Sequence, residues 1–170
     1  MMQHVFLTGE KHIGKSTLLK KVLARYPGHA GGFFTIRSNA WLGNAYSVHM
    51  FGLHDAAIPD ENNLLFVCGA SKEQNAERFD RLGCEILAKY SACSLLVMDE
   101  LGPNEAGAAL FRQAVLQALD RTPVLGVLQK PYAPFWPEIA GNPLAEIIEI
   151  TKDNRDDENV IAHILSALGG

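Results

Sequence analysis

Gly9-Glu10-Lys11-His12-Ile13-Gly14-Lys15-Ser16 sets two glycines, a lysine and a hydroxyl at the spacing G-x-x-x-x-G-K-[ST]. That pattern suits one kind of chemistry, the holding of a polyphosphate. A triphosphate is a dense anion and needs many donors that do not collide with it. A glycine-bearing loop can turn its backbone N–H groups inward around the β-phosphate, and the helix that follows adds its positive end. Gly9 and Gly14 admit the close approach that a side chain would block. Lys15 is expected to reach the β- and γ-phosphates, and the Ser16 hydroxyl to ligate Mg²⁺. Glu10, Lys11, His12, Ile13 and Thr17 complete the nucleotide-binding set, with the His12 side chain directed outward and Thr17 a structural neighbour.

A second group of candidates ends a strand. Ser94-Leu95-Leu96-Val97-Met98-Asp99-Glu100 is an apolar run delivering two adjacent carboxylates, and the carboxyl ends of strands are where open α/β sheets bind ligands. Asp99 is expected to hold Mg²⁺, directly or through water. Glu100 is placed to orient or deprotonate an attacking water. Glu105 reads equally as a helix-start acid and as a site residue. Arg155 either touches the base or phosphates of a nucleotide or bridges to Asp153, Asp156 or Asp157. Arg37 and Arg112 are weaker candidates for transition-state charge stabilisation. Phe135 and Trp136 could stack a base, but packing of the proline-rich segment around them is the favoured reading. His4, His29, His49, His54 and His163 lack metal-ligand spacing, so no zinc site is expected.

Strand-like and helix-like segments alternate around these residues. Strands are expected over 3–8, 32–37, 45–51, 64–68, 94–98, 123–128 and 145–151, and helices over 15–25, 72–90, 105–119 and 156–168. The helix over 72–90 carries Ala76, Phe79, Leu82, Ile86 and Tyr90 at three- and four-residue steps. Residues 54–63 read as a loop, and 38–44 as the turn of a hairpin. Pro131, Pro134, Pro137 and Pro143 mark another loop. This order implies a three-layer α/β fold: a mostly parallel sheet covered on both faces, with an antiparallel hairpin added. The 170 residues suit one domain over 1–170.

Composition narrows the class of partner. The chain is 48% hydrophobic and 20% charged, with a formal net charge of −4. That balance fits a globular protein and makes nucleic acid an unlikely partner, since phosphate neutralisation calls for basic surface. The N-terminal apolar run is too short for a signal peptide, and no stretch has the length of a membrane span. Cys68, Cys84 and Cys93 show no paired spacing and read as buried free thiols, which makes the cytoplasm the expected location.

Taken in order, these blocks resemble the thermophile-type and cancer-related nucleoside-triphosphatases, a P-loop family. The resemblance runs over nearly the whole chain. It rests on Gly9 to Ser16, Gly31-Gly32-Phe33-Phe34-Thr35, Asp99-Glu100-Leu101-Gly102 with Glu105 and Phe111, and Asn154-Arg155-Asp156. It implies the P-loop NTPase fold and Mg²⁺-dependent hydrolysis of ATP or another NTP to the diphosphate, with loose choice of base. Ile36 and Pro103-Asn104 depart from the family pattern. A kinase passing the γ-phosphate to another acceptor is the alternative, disfavoured because 54–63 is short and lacks the arginines of a lid. A GTP-dependent switch is a third reading. It fits Asp99-Glu100-Leu101-Gly102 but not Thr151-Lys152-Asp153-Asn154, where Asp153 falls one residue early for reading guanine.

Overall fold

The computed structural model describes residues 2–39, 41–43 and 45–169. Ala40 and Asn44 of the expected hairpin turn lie outside the described residues. Seven strands are found among the described residues: β1 (His4–Thr8), β2 (Ala30–Asn39), β3 (Tyr46–Gly52), β4 (Leu64–Val67), β5 (Leu95–Leu101), β6 (Val124–Leu128) and β7 (Ala145–Glu149). They form one sheet in the order β4-β3-β2-β5-β6-β1-β7. Neighbours from β2 to β7 pair in parallel, whereas β2–β3 and β3–β4 are antiparallel. The expected hairpin is therefore an extension of one side of a parallel sheet.

Alternating side chains along the central strands divide the core in two. Leu95 and Val97 face one layer, built on α1 (Lys15–Leu23) and α6 (Glu158–Ala167). Leu96 and Met98 face the other, built on α2 (Lys72–Lys89) and α4 (Ala109–Leu119). Strands covered on both faces have no polar face to alternate with, which is why β1, β5 and β6 read as continuous apolar runs. Arg25 pairs with Glu158, and Lys21 with Asp156 at 3.1 Å, across the α1–α6 contact.

The helix expected over 105–119 is two helices. α3 (Pro103–Ala106) ends at Gly107, Ala108 is extended, and α4 begins afresh. The cause is tertiary: Asp80 of α2 accepts a hydrogen bond from the Phe111 N–H at 2.8 Å, satisfying a donor of a new helix start. Phe111 is fully buried, packed against Phe33 and Phe79 with ring centroids 5.6 and 6.0 Å away. Burial of one such side chain stabilises the fold by about 1.5–3 kcal/mol. Gly83 of α2 allows this approach, because a Cβ there would lie 2.2 Å from the Phe111 ring.

The proline-rich segment is pinned by Trp136 just before α5 (Pro137–Ala140). Its indole is wholly buried and its Nε1–H donates to the Gly102 carbonyl at 3.0 Å. Stacking on a base is thereby ruled out for Trp136. Residues 53–63 lie at the amino edge of the parallel strands. β3 runs back along β2 until Gly52 pairs with Phe33, and the Leu53 N–H then donates to Gly32 O at 2.9 Å.

Candidate active site

β1 ends at the carboxyl edge of the sheet between β6 and β7, and the chain turns at once into the loop 9–14. Gly9 has φ 148°, and a Cβ on it would sit 2.6 Å from the Ile150 carbonyl oxygen. No other residue fits both constraints. Gly14, with φ 115°, precedes α1 as a cap without a side-chain acceptor, and the first turn holds no acid. The helix start thus presents unsatisfied N–H groups and the positive end of its dipole to the loop. Lys15 follows, its Nζ donating to Gly9 O at 2.7 Å and Glu10 O at 3.0 Å. His12 is exposed, as expected, with φ 60°.

Asp99 and Glu100 come from β5, two strands away from β1, with β6 between. The Ser16 hydroxyl lies near enough to Asp99 to favour its ionised form, so the two expected metal ligands are neighbours. Burial raises the pKa of Asp99, and the Ser16 hydroxyl, Lys20 and Lys15 oppose that shift. Glu100 is raised by burial first and by the Asp99 charge second, with Lys15 and Lys11 opposing. Lys15 is lowered by its own burial, against the pull of Glu100, Asp99 and Glu10. A half-buried carboxylate beside a hydroxyl is a pair of hard oxygen donors, which fits Mg²⁺. No group of three or more His, Cys, Asp or Glu able to hold a metal occurs among the described residues.

The loop and Glu100 line one open cleft of about 820 Å³, and Asp99 is not among the residues on its wall. Arg37, Glu100, Gln129 and Lys130 line it opposite Lys15 and Ser16. Arg37 reaches the cleft because β2 runs on past the end of β5, and its guanidinium lies 4.1 Å from the centre of the Tyr46 ring. Arg112 is absent from this cleft. It donates to Phe135 O at 2.6 Å and to both oxygens of Glu138, and lies over the Trp136 ring. It is a clamp on the proline-rich segment.

Arg155 joins the loop from behind. Its Nη1 donates to Ile13 O at 3.3 Å and its Nε lies 3.5 Å from Asp156, which is one of the bridges the sequence offered. With His12, Ile13, Gly14, Thr17 and Asp156 it lines a shallower cavity of about 320 Å³ beside the cradle. Glu105 is buried, and its carboxylate accepts the Gly102 N–H at 2.9 Å. Burial, and next the charge of Glu100 working against hydrogen bonds from the backbone, pushes it up to about 7.

Gln129, Lys130 and Lys20 belong to the site's surroundings and were not among the residues expected from sequence. Gln129 and Lys130 directly follow an apolar strand, as Asp99 and Glu100 all but do, so the same strand-end argument could have found them.

A family model described as NTPase matches residues 4–165. The chain belongs to that family. Among curated relatives of this NTPase, nucleoside-triphosphatase THEP1 of Methanosarcina acetivorans is 29% identical over 99% of this chain and 100% of its own length. The THEP1 of Thermotoga maritima is 25% identical, with 96% and 94% covered. The crystal structure of THEP1 from the hyperthermophile Aquifex aeolicus superposes with a TM-score of 0.69, covering 98% of this chain and 99% of that one at 24% identity. That likeness establishes the shared P-loop fold. No helix among the described residues is long and apolar enough to cross a membrane.

Proposed function

We propose that this NTPase is a Mg²⁺-dependent hydrolase of ATP and other nucleoside triphosphates, releasing diphosphate and phosphate with loose choice of base, and that residues 1–170 form one catalytic domain. The observation that carries the reading is Glu100. It lies beside Asp99 and across the cleft from Lys15, and burial raises its proton affinity. A carboxylate so tuned suits a general base better than a solvated one does.

In this reading the backbone N–H groups of residues 9–14 and the start of α1 hold the β-phosphate, and Lys15 leaves its loop carbonyls to neutralise the β- and γ-oxygens. Ser16 and Asp99 would hold Mg²⁺, which when bound offsets the charge of the β- and γ-phosphates. Glu100 takes a proton from water as the water oxygen bonds the γ-phosphorus. The bond from phosphorus to the β–γ bridging oxygen breaks, and that oxygen departs with the diphosphate. Arg37 adds positive charge to the opposite wall, where Lys130 is paired with Glu149.

Loose base choice is supported by the cavity at Arg155, which offers a guanidinium already hydrogen-bonded to Ile13 O and no enclosed set of donors. The guanine-switch reading loses support because Asn154 is committed to Thr151 N at 2.8 Å and Glu149 O at 2.9 Å. A kinase lid over 54–63 loses support because that segment lies at the sheet edge away from the cleft. The three cysteines are free, in keeping with a reducing compartment, but only Cys93 is buried as expected; Cys84 is half-buried and Cys68 exposed. Phosphate release from ATP, GTP, CTP and UTP, with Mg²⁺ and with a chelator, tests the reading. Turnover of all four with rates within about tenfold, lost on chelation, is expected. Turnover of one nucleotide alone, or turnover surviving chelation, would overturn it.

A further inference from the structure

β5 and β6 pair in regular register from Leu96↔Val124 to Asp99↔Val127, then shift and resume at Leu101↔Leu128. Glu100 is the residue that the ladder skips. Strand pairing therefore does not fix the direction of its side chain, and irregularities of this kind re-aim side chains beside active sites. What remains to fix it is the two peptides that follow. Leu101 O accepts the Gln129 N–H at 2.9 Å. Gly102 is held from both sides: its N–H donates to Glu105 Oε2 at 2.9 Å, and its carbonyl accepts the Trp136 Nε1–H at 3.0 Å and the Ala106 N–H at 3.1 Å. The surroundings are closed, since a Cβ on Gly102 would lie 2.3 Å from Gln129 Oε1 and 3.1 Å from Glu105 Oε2.

We propose that Glu105 is a positioning residue: its carboxylate grips the Gly102 N–H and thereby holds Glu100 aimed into the cleft, with the grip strongest when Glu105 is ionised. This rests on the proposed role of Glu100 as base and extends it. An ionised acceptor makes a shorter and stronger hydrogen bond than a neutral one, and a protonated carboxyl adds a donor that must itself be housed. The same bond also caps α3, a single turn of four residues.

The charged groups on the packed elements are few. Glu100 on β5 raises Glu105, Arg112 on α4 is engaged by Phe135 O and Glu138, and Asp80 on α2 accepts the Phe111 N–H. With its midpoint near neutrality, at about 7, Glu105 switches the grip within the working pH range, weak below and firm above.

The test compares the full chain with Glu105→Gln and Glu105→Ala by two readouts. In the first, the Gly102 amide resonance is followed by NMR. It is expected to titrate with a midpoint at about 7 in the wild type and to lose that titration in Glu105→Gln. In the second, kcat of the wild type is expected to rise with pH in a component centred at about 7 that Glu105→Gln lacks, while the rise set by deprotonation of Glu100 remains in both. Glu105→Ala is expected to lose about tenfold or more in kcat, with nucleotide Kd changed less than about threefold. A Gly102 amide that does not titrate, a pH profile of kcat that is the same in Glu105→Gln and the wild type, or equal losses of kcat and nucleotide affinity would each overturn the proposal. A wild type that hydrolyses nothing while Gly102 titrates as expected would refute the hydrolase reading and uphold the grip.

Discussion

Replacing Glu105 by glutamine should change how stability depends on pH, by an amount that its surroundings set. In the folded protein burial holds this carboxyl at about 7, against an ordinary value of 4.5. Between those two values the native state keeps a proton that the unfolded chain has released. Stability therefore falls as pH rises through the window, is fully lost from this source above about 7, and is unaffected below 4.5. At about 1.4 kcal/mol per pH unit, the carboxylate costs the native state on the order of 3 kcal/mol at alkaline pH. Glutamine keeps the shape and an oxygen to accept the Gly102 N–H but does not titrate. Asp99 and Glu100, also raised by burial, tilt both proteins in the same direction, so that apart from the Glu100–Glu105 coupling they cancel in the difference.

The assay is urea unfolding of both proteins at a pH below 4.5 and again at about pH 8.5. The stability of Glu105→Gln relative to the wild type should rise by roughly 3 kcal/mol between the two. In thermal unfolding that is a relative gain of about 6–12 °C in Tm for a chain of this size. A relative stability constant to within about 0.5 kcal/mol across the range would show that Glu105 titrates normally, and the burial argument would fail.

Three further substitutions probe separate parts of the site. Gly9→Ala should destabilise the fold by about 2–4 kcal/mol and abolish nucleotide binding, since its Cβ meets the Ile150 carbonyl at 2.6 Å in a dihedral region unsuited to alanine; a normal unfolding curve with intact binding contradicts this. Trp136→Phe removes the donor to the Gly102 carbonyl and should cost about 1–3 kcal/mol by urea unfolding. A change below about 0.5 kcal/mol would mean that the bond is dispensable. Arg155→Ala should raise KM for every nucleotide by about three- to thirtyfold while leaving kcat nearly unchanged, whereas a selective loss of one nucleotide would make Arg155 a reader of base identity.

The parts of the site that are continuous in sequence were legible there. The cradle from Gly9 to Ser16 needs only a strand, a loop and a helix start, all local, and the structure has them in place. Asp99 and Glu100 were legible because an apolar run ending in acids signals a buried strand reaching a ligand edge. The mixed sheet followed from the same alternation of segments. Features that depend on strand order were not legible. β6 brings Gln129 and Lys130 to the cleft only because it inserts between β5 and β1, and local sequence does not encode that order. The break between α3 and α4 was hidden because its cause, Asp80 capping Phe111, comes from 31 residues away. Arg112 looked available as a free cation until Glu138 and Phe135 O were brought against it by folding.

The central claim is that Glu100 activates water in a cleft whose nucleotide is held by other groups. The most direct test is to measure nucleotide Kd and steady phosphate release side by side for the wild type, Lys15→Ala and Glu100→Gln. The account predicts that Glu100→Gln binds ATP within about threefold of the wild type yet releases phosphate about a hundredfold or more slowly, while Lys15→Ala loses binding. Phosphate release by Glu100→Gln at a rate near that of the wild type would contradict it.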